Sequence, residues 1–123
     1  MTATALVSIV DDDESVRESL PDLLKEFGFA VQSFASAEEF LASVHVDETR
    51  CLVLDIAMPG MSGPDLQREL TRRSQALPIV FITANEDSSD CARIVDAGVE
   101  SCLIKPFSEA ALLDAITKAM QTE

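Results

Sequence analysis

Residues 51–60 read Cys51-Leu52-Val53-Leu54-Asp55-Ile56-Ala57-Met58-Pro59-Gly60. Four apolar residues run into a carboxylate, and Met58-Pro59-Gly60 then turns the chain. A short apolar run bounded by turn residues reads as a buried strand. Ligands of open parallel sheets gather just beyond the carboxyl ends of the strands. Asp55 would stand at such an edge.

The same grammar recurs on both sides. Leu6–Val10 is a first strand that ends at Asp11-Asp12-Asp13. Val16, Leu20, Leu23, Leu24 and Phe27 then line one helical face, with Gly28 as its stop and Pro21 as an expected kink. Phe29–Phe34 is a second strand. Ser36 and Glu39 promise a capping box for a helix whose inward residues would be Phe40, Leu41 and Val44. After the Cys51–Leu54 strand, Gly63-Pro64 restart a helix with Leu66 and Leu70 inward. Leu77–Thr83 is a fourth strand, 87–97 a fourth helix and Ser101–Ile104 a fifth strand. The last helix faces inward through Leu112, Leu113, Ile116 and Met120. Five strand–helix units predict a parallel sheet with helices on both faces.

Bulk properties narrow the function. The 123 residues suit one domain. A net charge of -13, from 22 acidic against 9 basic residues, repels phosphate backbones, so direct nucleic-acid binding is not expected. It favours basic partners or cations. Cys51, Cys91 and Cys102 form no CxxC, so neither a disulfide framework nor a zinc site is expected. No basic leader with a following apolar core and no membrane-length apolar run occurs. A soluble, cytoplasmic protein is expected.

The strand ends carry the chemistry. They offer Asp11 and Asp12, then Asp55, then Thr83, then Lys105 before Pro106. Neighbouring carboxylates repel, and a hard divalent cation relieves that repulsion. An all-oxygen set with few protein ligands suits Mg²⁺, which keeps several waters and accepts a phosphate oxygen. An ammonium and a hydroxyl beside a carboxylate nucleophile equip a pocket for phosphoryl transfer. Asp13 and Glu14 read as helix-terminus charges, Ser62 and Ser108 as caps, and His45 as a surface residue.

Taken together, Val10-Asp11-Asp12, Leu54-Asp55 with Met58-Pro59 and Gly63, Ile82-Thr83-Ala84 and Lys105-Pro106-Phe107 resemble the receiver domain of two-component response regulators. Met58-Pro59-Gly60-Met61-Ser62-Gly63 and Lys105-Pro106-Phe107 look most like the nitrogen-fixation-type regulators. The resemblance covers residues 1–123 as one receiver domain, with no output domain in this chain. It implies the flavodoxin-like (βα)5 doubly wound fold with strand order 2-1-3-4-5. It also implies roles. Asp55 accepts a phosphoryl group from a sensor histidine kinase. Asp12, Asp55 and the Ala57 backbone carbonyl bind Mg²⁺ directly, and Asp11 does so through water. Thr83 and Lys105 bind the phosphoryl oxygens. The bond before Pro106 is expected to be cis. Phosphorylation would then alter dimerisation or partner binding through the fourth helix, fifth strand and fifth helix.

Two features depart from the family pattern. Cys102 stands where receivers usually carry the aromatic ring that swings inward with the strand-four threonine. Ala57 and Asn85 occupy positions that tune phosphoryl lifetime and imply self-hydrolysis of intermediate speed. A haloacid-dehalogenase-type enzyme would need a second aspartate where Ala57 stands, and nucleotide-binding loops of the GxGxxG or GxxxxGK[ST] kind are absent. The expectation is a regulator that catalyses only its own phosphoryl transfer and dephosphorylation. As part of a longer regulator it would control transcription. Alternatively, it would stand alone as a phosphate sink, phosphorelay intermediate or protein-binding regulator.

Overall fold

A computed structural model describes residues 5–56, 58–75, 77–83, 101–105 and 107–121. Its elements run β1 (Leu6–Val10), α1 (Glu14–Glu26), β2 (Ala30–Phe34), α2 (Ala37–Leu41), β3 (Thr49–Asp55), α3 (Gly63–Arg72), β4 (Ile79–Thr83) and β5 (Ser101–Ile104). A C-terminal helix, Glu109–Gln121, follows. The expected helix over 87–97, together with Ala57, Asn85, Cys91 and Pro106, lies outside the described residues.

The strands form one sheet in the order β2-β1-β3-β4-β5, every neighbouring pair parallel. This is the doubly wound, flavodoxin-like arrangement expected. Successive strand residues point to opposite faces, and both faces are covered. Val10, Leu52, Leu54 and Phe81 pack with Phe40 of α2 and with Leu66 and Leu70 of α3. On the other face Val7, Ile9, Cys51, Val53, Val80 and Ile82 pack with Leu20 and Leu24 of α1 and with Leu112 and Ile116 of the C-terminal helix. Burial on both sides explains why β3 and β4 are continuous apolar runs.

Local chemistry fixes the helix ends. Asp13 caps α1 by accepting from the Ser15 N–H at 2.9 Å. Ser62 and Asp65 form a reciprocal capping box at α3, while Ser36 accepts from the Glu39 N–H at 3.1 Å. Ser108 accepts from the Ala111 N–H at 3.0 Å. Gly28 takes φ +92° just past α1, where a side chain would strain the backbone.

Two expected core residues are solvent-facing. Val44 is 82% exposed because α2 stops at Leu41, where the Ser43 hydroxyl turns back to the Phe40 carbonyl at 2.8 Å. Phe27 is 55% exposed because it is the C-cap of α1 and has left the buried face. Helix α1 runs through Pro21. His45 is half-buried, pairs with Glu48 at 2.9 Å and sits 6.4 Å from the Phe34 ring.

Candidate functional site

The sheet register brings the expected residues to one edge. Val10 pairs with Leu54, Asp55 with Ile82 and Thr83 with Ile104, so the strands end nearly level. Backbone bonds continue this level past the strands. The Asp11 N–H donates to the Phe34 carbonyl at 3.1 Å, Ile56 to Ile82 at 3.0 Å and Lys105 to Thr83 at 2.7 Å.

At that edge, carboxylate oxygens of Asp11, Asp12 and Asp55 lie within 4.8 Å of one another. Asp11 is fully buried and Asp55 nearly so, while Asp12 is exposed. Lys105 Nζ donates to Asp11 Oδ2 at 2.9 Å, and the Asp13 N–H donates to Asp11 Oδ1 at 2.9 Å. Thr83, 2% exposed, ends the neighbouring strand β4.

Electrostatics follow from this crowding. Burial, then the Asp11 charge, push the Asp55 carboxyl from 3.8 up to about 7, against the pull of Lys105. A hydrogen bond with Asp11 and the charge of Asp12 act in the same upward direction. For Lys105, burial alone would favour the neutral amine. The Asp11 hydrogen bond and the charges of Asp11, Asp55 and Asp13 outweigh it and hold the ammonium above its usual pKa. The pocket therefore holds more negative than positive charge. Three converging carboxylates, one part-protonated at neutral pH, form a hard oxygen donor set that fits a divalent cation.

A match to the model of the response regulator receiver domain spans residues 7–117. The chain belongs to the response regulator receiver domain family. Nodulation protein W of Bradyrhizobium diazoefficiens is 43% identical over 119 residues, covering 97% of this chain and 52% of that protein. Transcriptional regulatory protein FixJ of Azorhizobium caulinodans is 37% identical, over 93% of this chain and 54% of that one. The chain thus spans about half the length of the curated relatives it matches. Among solved structures, response regulator StyR superposes with a TM-score of 0.87 at 50% identity, covering 97% of this chain and 60% of that one. FixJ-N superposes with a TM-score of 0.87 at 36% identity over 99% and 98% of the two chains.

Three features of this receiver domain were not legible in the sequence. Arg17 on α1 donates from Nη1 to the Asp11 carbonyl at 2.9 Å. A cation in the first turn, where the helix dipole disfavours it, was the available signal. Glu38 reaches from α2 to the Met61 N–H at 3.2 Å and holds the loop after β3. Cys102, half-buried opposite Phe81, has its sulfur in a disulfide, which corrects the expectation of none. Pairing depends on what the fold brings together, and an odd cysteine count without CxxC does not reveal it. Cys51 is buried and takes no part in a disulfide.

Proposed function

We propose that the chain is a phosphorylation-controlled switch whose acceptor is Asp55 and whose donor is the phosphohistidine of a sensor histidine kinase. The observation that carries this reading is the meeting of Asp11, Asp12, Asp55 and Lys105 at one sheet edge. An Asp55 carboxylate oxygen attacks phosphorus. The new O–P bond makes an aspartyl phosphate as the N–P bond breaks, and the departing imidazole keeps the electron pair and takes up a proton.

Mg²⁺ is the cation the donor set suits; Asp12, Asp55 and the Ala57 carbonyl would hold it, with Asp11 acting through water. When bound, it supplies charge neutralisation for the carboxylates and the phosphoryl oxygens. The residues do the rest. Asp55 must be ionised to attack, and the Lys105 ammonium favours that form. Lys105 leaves Asp11 to meet a phosphoryl oxygen, and the Thr83 hydroxyl donates to another. Phosphorylation adds about -1.5 to -2 charge. Because the Lys105 N–H is bonded to the Thr83 carbonyl, the two residues respond as one unit.

The rearranged face around β5 then changes dimerisation or partner binding. With Cys102 in place of a ring, Thr83 and Lys105 carry the signal. Ala57 and Asn85 set an intermediate phosphoryl lifetime. Residues 1–123 are receiver only, and the chain neither contacts nucleic acid directly nor acts on a separate substrate. Within a longer regulator it controls transcription. No helix among the described residues is long and apolar enough to cross a membrane, and a cytoplasmic location goes with this role.

Acetyl phosphate with Mg²⁺ should give one phosphoryl adduct by intact mass, lost in Asp55→Asn and in chelator. Labelling of Asp55→Asn would remove the central assignment. A beryllofluoride complex should shift the sedimentation of wild type only.

A further inference from the structure

We infer that Arg17 is a positioning residue for the cation site, acting through the peptide that joins Asp11 to Asp12. This rests on the cation reading above.

Asp11 is tied at four points: its N–H to the Phe34 carbonyl at 3.1 Å, Oδ1 to the Asp13 N–H at 2.9 Å, Oδ2 to Lys105 Nζ at 2.9 Å, and its carbonyl to Arg17 Nη1 at 2.9 Å. The first three hold the Asp11 strand and carboxylate. Among the described residues, only the Arg17 bond grips the carbonyl. A peptide unit is planar, so fixing the Asp11 C=O also fixes the N and Cα of Asp12. Asp12 has an exposed side chain that makes no hydrogen bond among the described residues, so its backbone determines where its carboxylate stands.

The placement of Arg17 runs against local preference. It is the fourth residue of α1, near the positive end of the helix dipole, where a cation is disfavoured. Pro21, four residues on, has no N–H for the Arg17 carbonyl, so the regular ladder does less to hold this turn. The guanidinium contact supplies a tie from helix to strand end. Arginine suits it because its charge persists at every working pH and its planar donors keep a fixed direction.

Charge and geometry predict opposite signs. Deleting a cation beside three carboxylates would, by charge alone, tighten Mg²⁺ binding. Loss of positioning would loosen it. Mg²⁺ is titrated calorimetrically into wild type, Arg17→Met and Arg17→Lys, with thermal melts in chelator alongside. Arg17→Met should bind Mg²⁺ about tenfold more weakly, and Arg17→Lys should stay much nearer wild type. Equal or tighter binding by Arg17→Met overturns the role, even if its melting temperature falls. Should Arg17→Met not fold, Arg17→Gln is judged by the same two outcomes. If wild type itself takes up no Mg²⁺, the cation reading and this role both fall. If wild type binds and Arg17→Met binds equally, only the positioning role falls.

Discussion

Lys105 Nζ donates to Asp11 Oδ2 at 2.9 Å, joining side chains 94 residues apart across the carboxyl edge of the sheet. Their strands are not neighbours, since β3 and β4 lie between them. The contact therefore spans β3, the strand that ends in Asp55. The acid of this ion pair is fully buried.

Removing the ammonium should leave buried carboxylate without compensation. Lys105→Met is expected to lower the stability of the metal-free protein by about 2 kcal/mol, below the usual figure for a fully buried pair because Lys105 keeps some exposure. Urea unfolding in chelator measures this. Lys105 has a raised folded pKa, so the wild-type advantage is complete below its unfolded value. It should disappear as pH rises through the folded one. An advantage that persisted unchanged into strong alkali would contradict the pairing.

Asp55 predicts a trend of the same sign, but centred at neutral pH. Its folded value of about 7 exceeds the unfolded 3.8. Between these values the native state holds a proton that the unfolded state has released, so stability falls as pH rises across that window. Asp55→Asn carries no such proton. It should be more stable than metal-free wild type at pH 8 and should converge with it near pH 4. Mg²⁺ must displace the same proton, so its affinity for wild type should rise with pH and level off above about pH 7. Calorimetry in buffers of different ionisation enthalpy would detect the released proton.

What the sequence disclosed and what it hid divide along a physical line. Strand runs and the carboxylates after them were legible because a sheet buried on both faces demands unbroken apolar segments, and a parallel sheet brings their ends together. Val44 and Phe27 were misread because helical periodicity continues in the letters after the helix has ended. The real stops are a serine hydroxyl at Ser43 and the change of backbone direction at Phe27. Arg17, Glu38 and the disulfide of Cys102 were not legible because each depends on tertiary proximity rather than spacing. The same holds for the hydroxyl pair of Ser8 and Thr49.

Ser8 and Thr49 meet inside the sheet at 2.7 Å, and Thr49 Oγ1 donates to the His45 carbonyl at 2.7 Å. Thr49 has a single proton to give, so Ser8 must be the donor in the pair. Thr49→Val then orphans the buried Ser8 hydroxyl, while the His45 carbonyl keeps its bond from the Glu48 N–H at 3.1 Å, and should cost about 1–3 kcal/mol in denaturant unfolding. Adding Ser8→Ala removes one orphan and should recover about 1 kcal/mol. A double variant less stable than Thr49→Val alone would refute the donor assignment. Phosphorylation should be unaffected, since both residues lie on strands below the acidic edge.

Gly63 gives the sharpest test of how tightly the acceptor is held. A Cβ built there would stand 2.5 Å from the Asp55 carbonyl oxygen, 3.0 Å from Ile56 Cα and 3.1 Å from Phe81 Cε1. Its backbone angle is not in the left-handed region, so the requirement is space rather than conformation. Two of the three neighbours are backbone and cannot turn aside. The Gly63 N–H also donates to the Ile56 carbonyl at 2.9 Å, which pins α3 against the end of β3. Gly63→Ala must therefore push β3 and α3 apart exactly where Asp55 leaves the sheet. The expected cost is about 1–3 kcal/mol in stability, with a slower reaction toward acetyl phosphate because the carboxylate has moved relative to Asp11 and Asp12. Gly60→Ala is the contrasting control. Its Cβ would meet only the flexible end of Glu38, at 2.8 Å, so its cost should come from its φ of +76° and not from the acceptor. Slower acetyl phosphate labelling confined to Gly63→Ala would tie reactivity to the Asp55 backbone. Equal slowing in both would place the sensitivity in the loop instead.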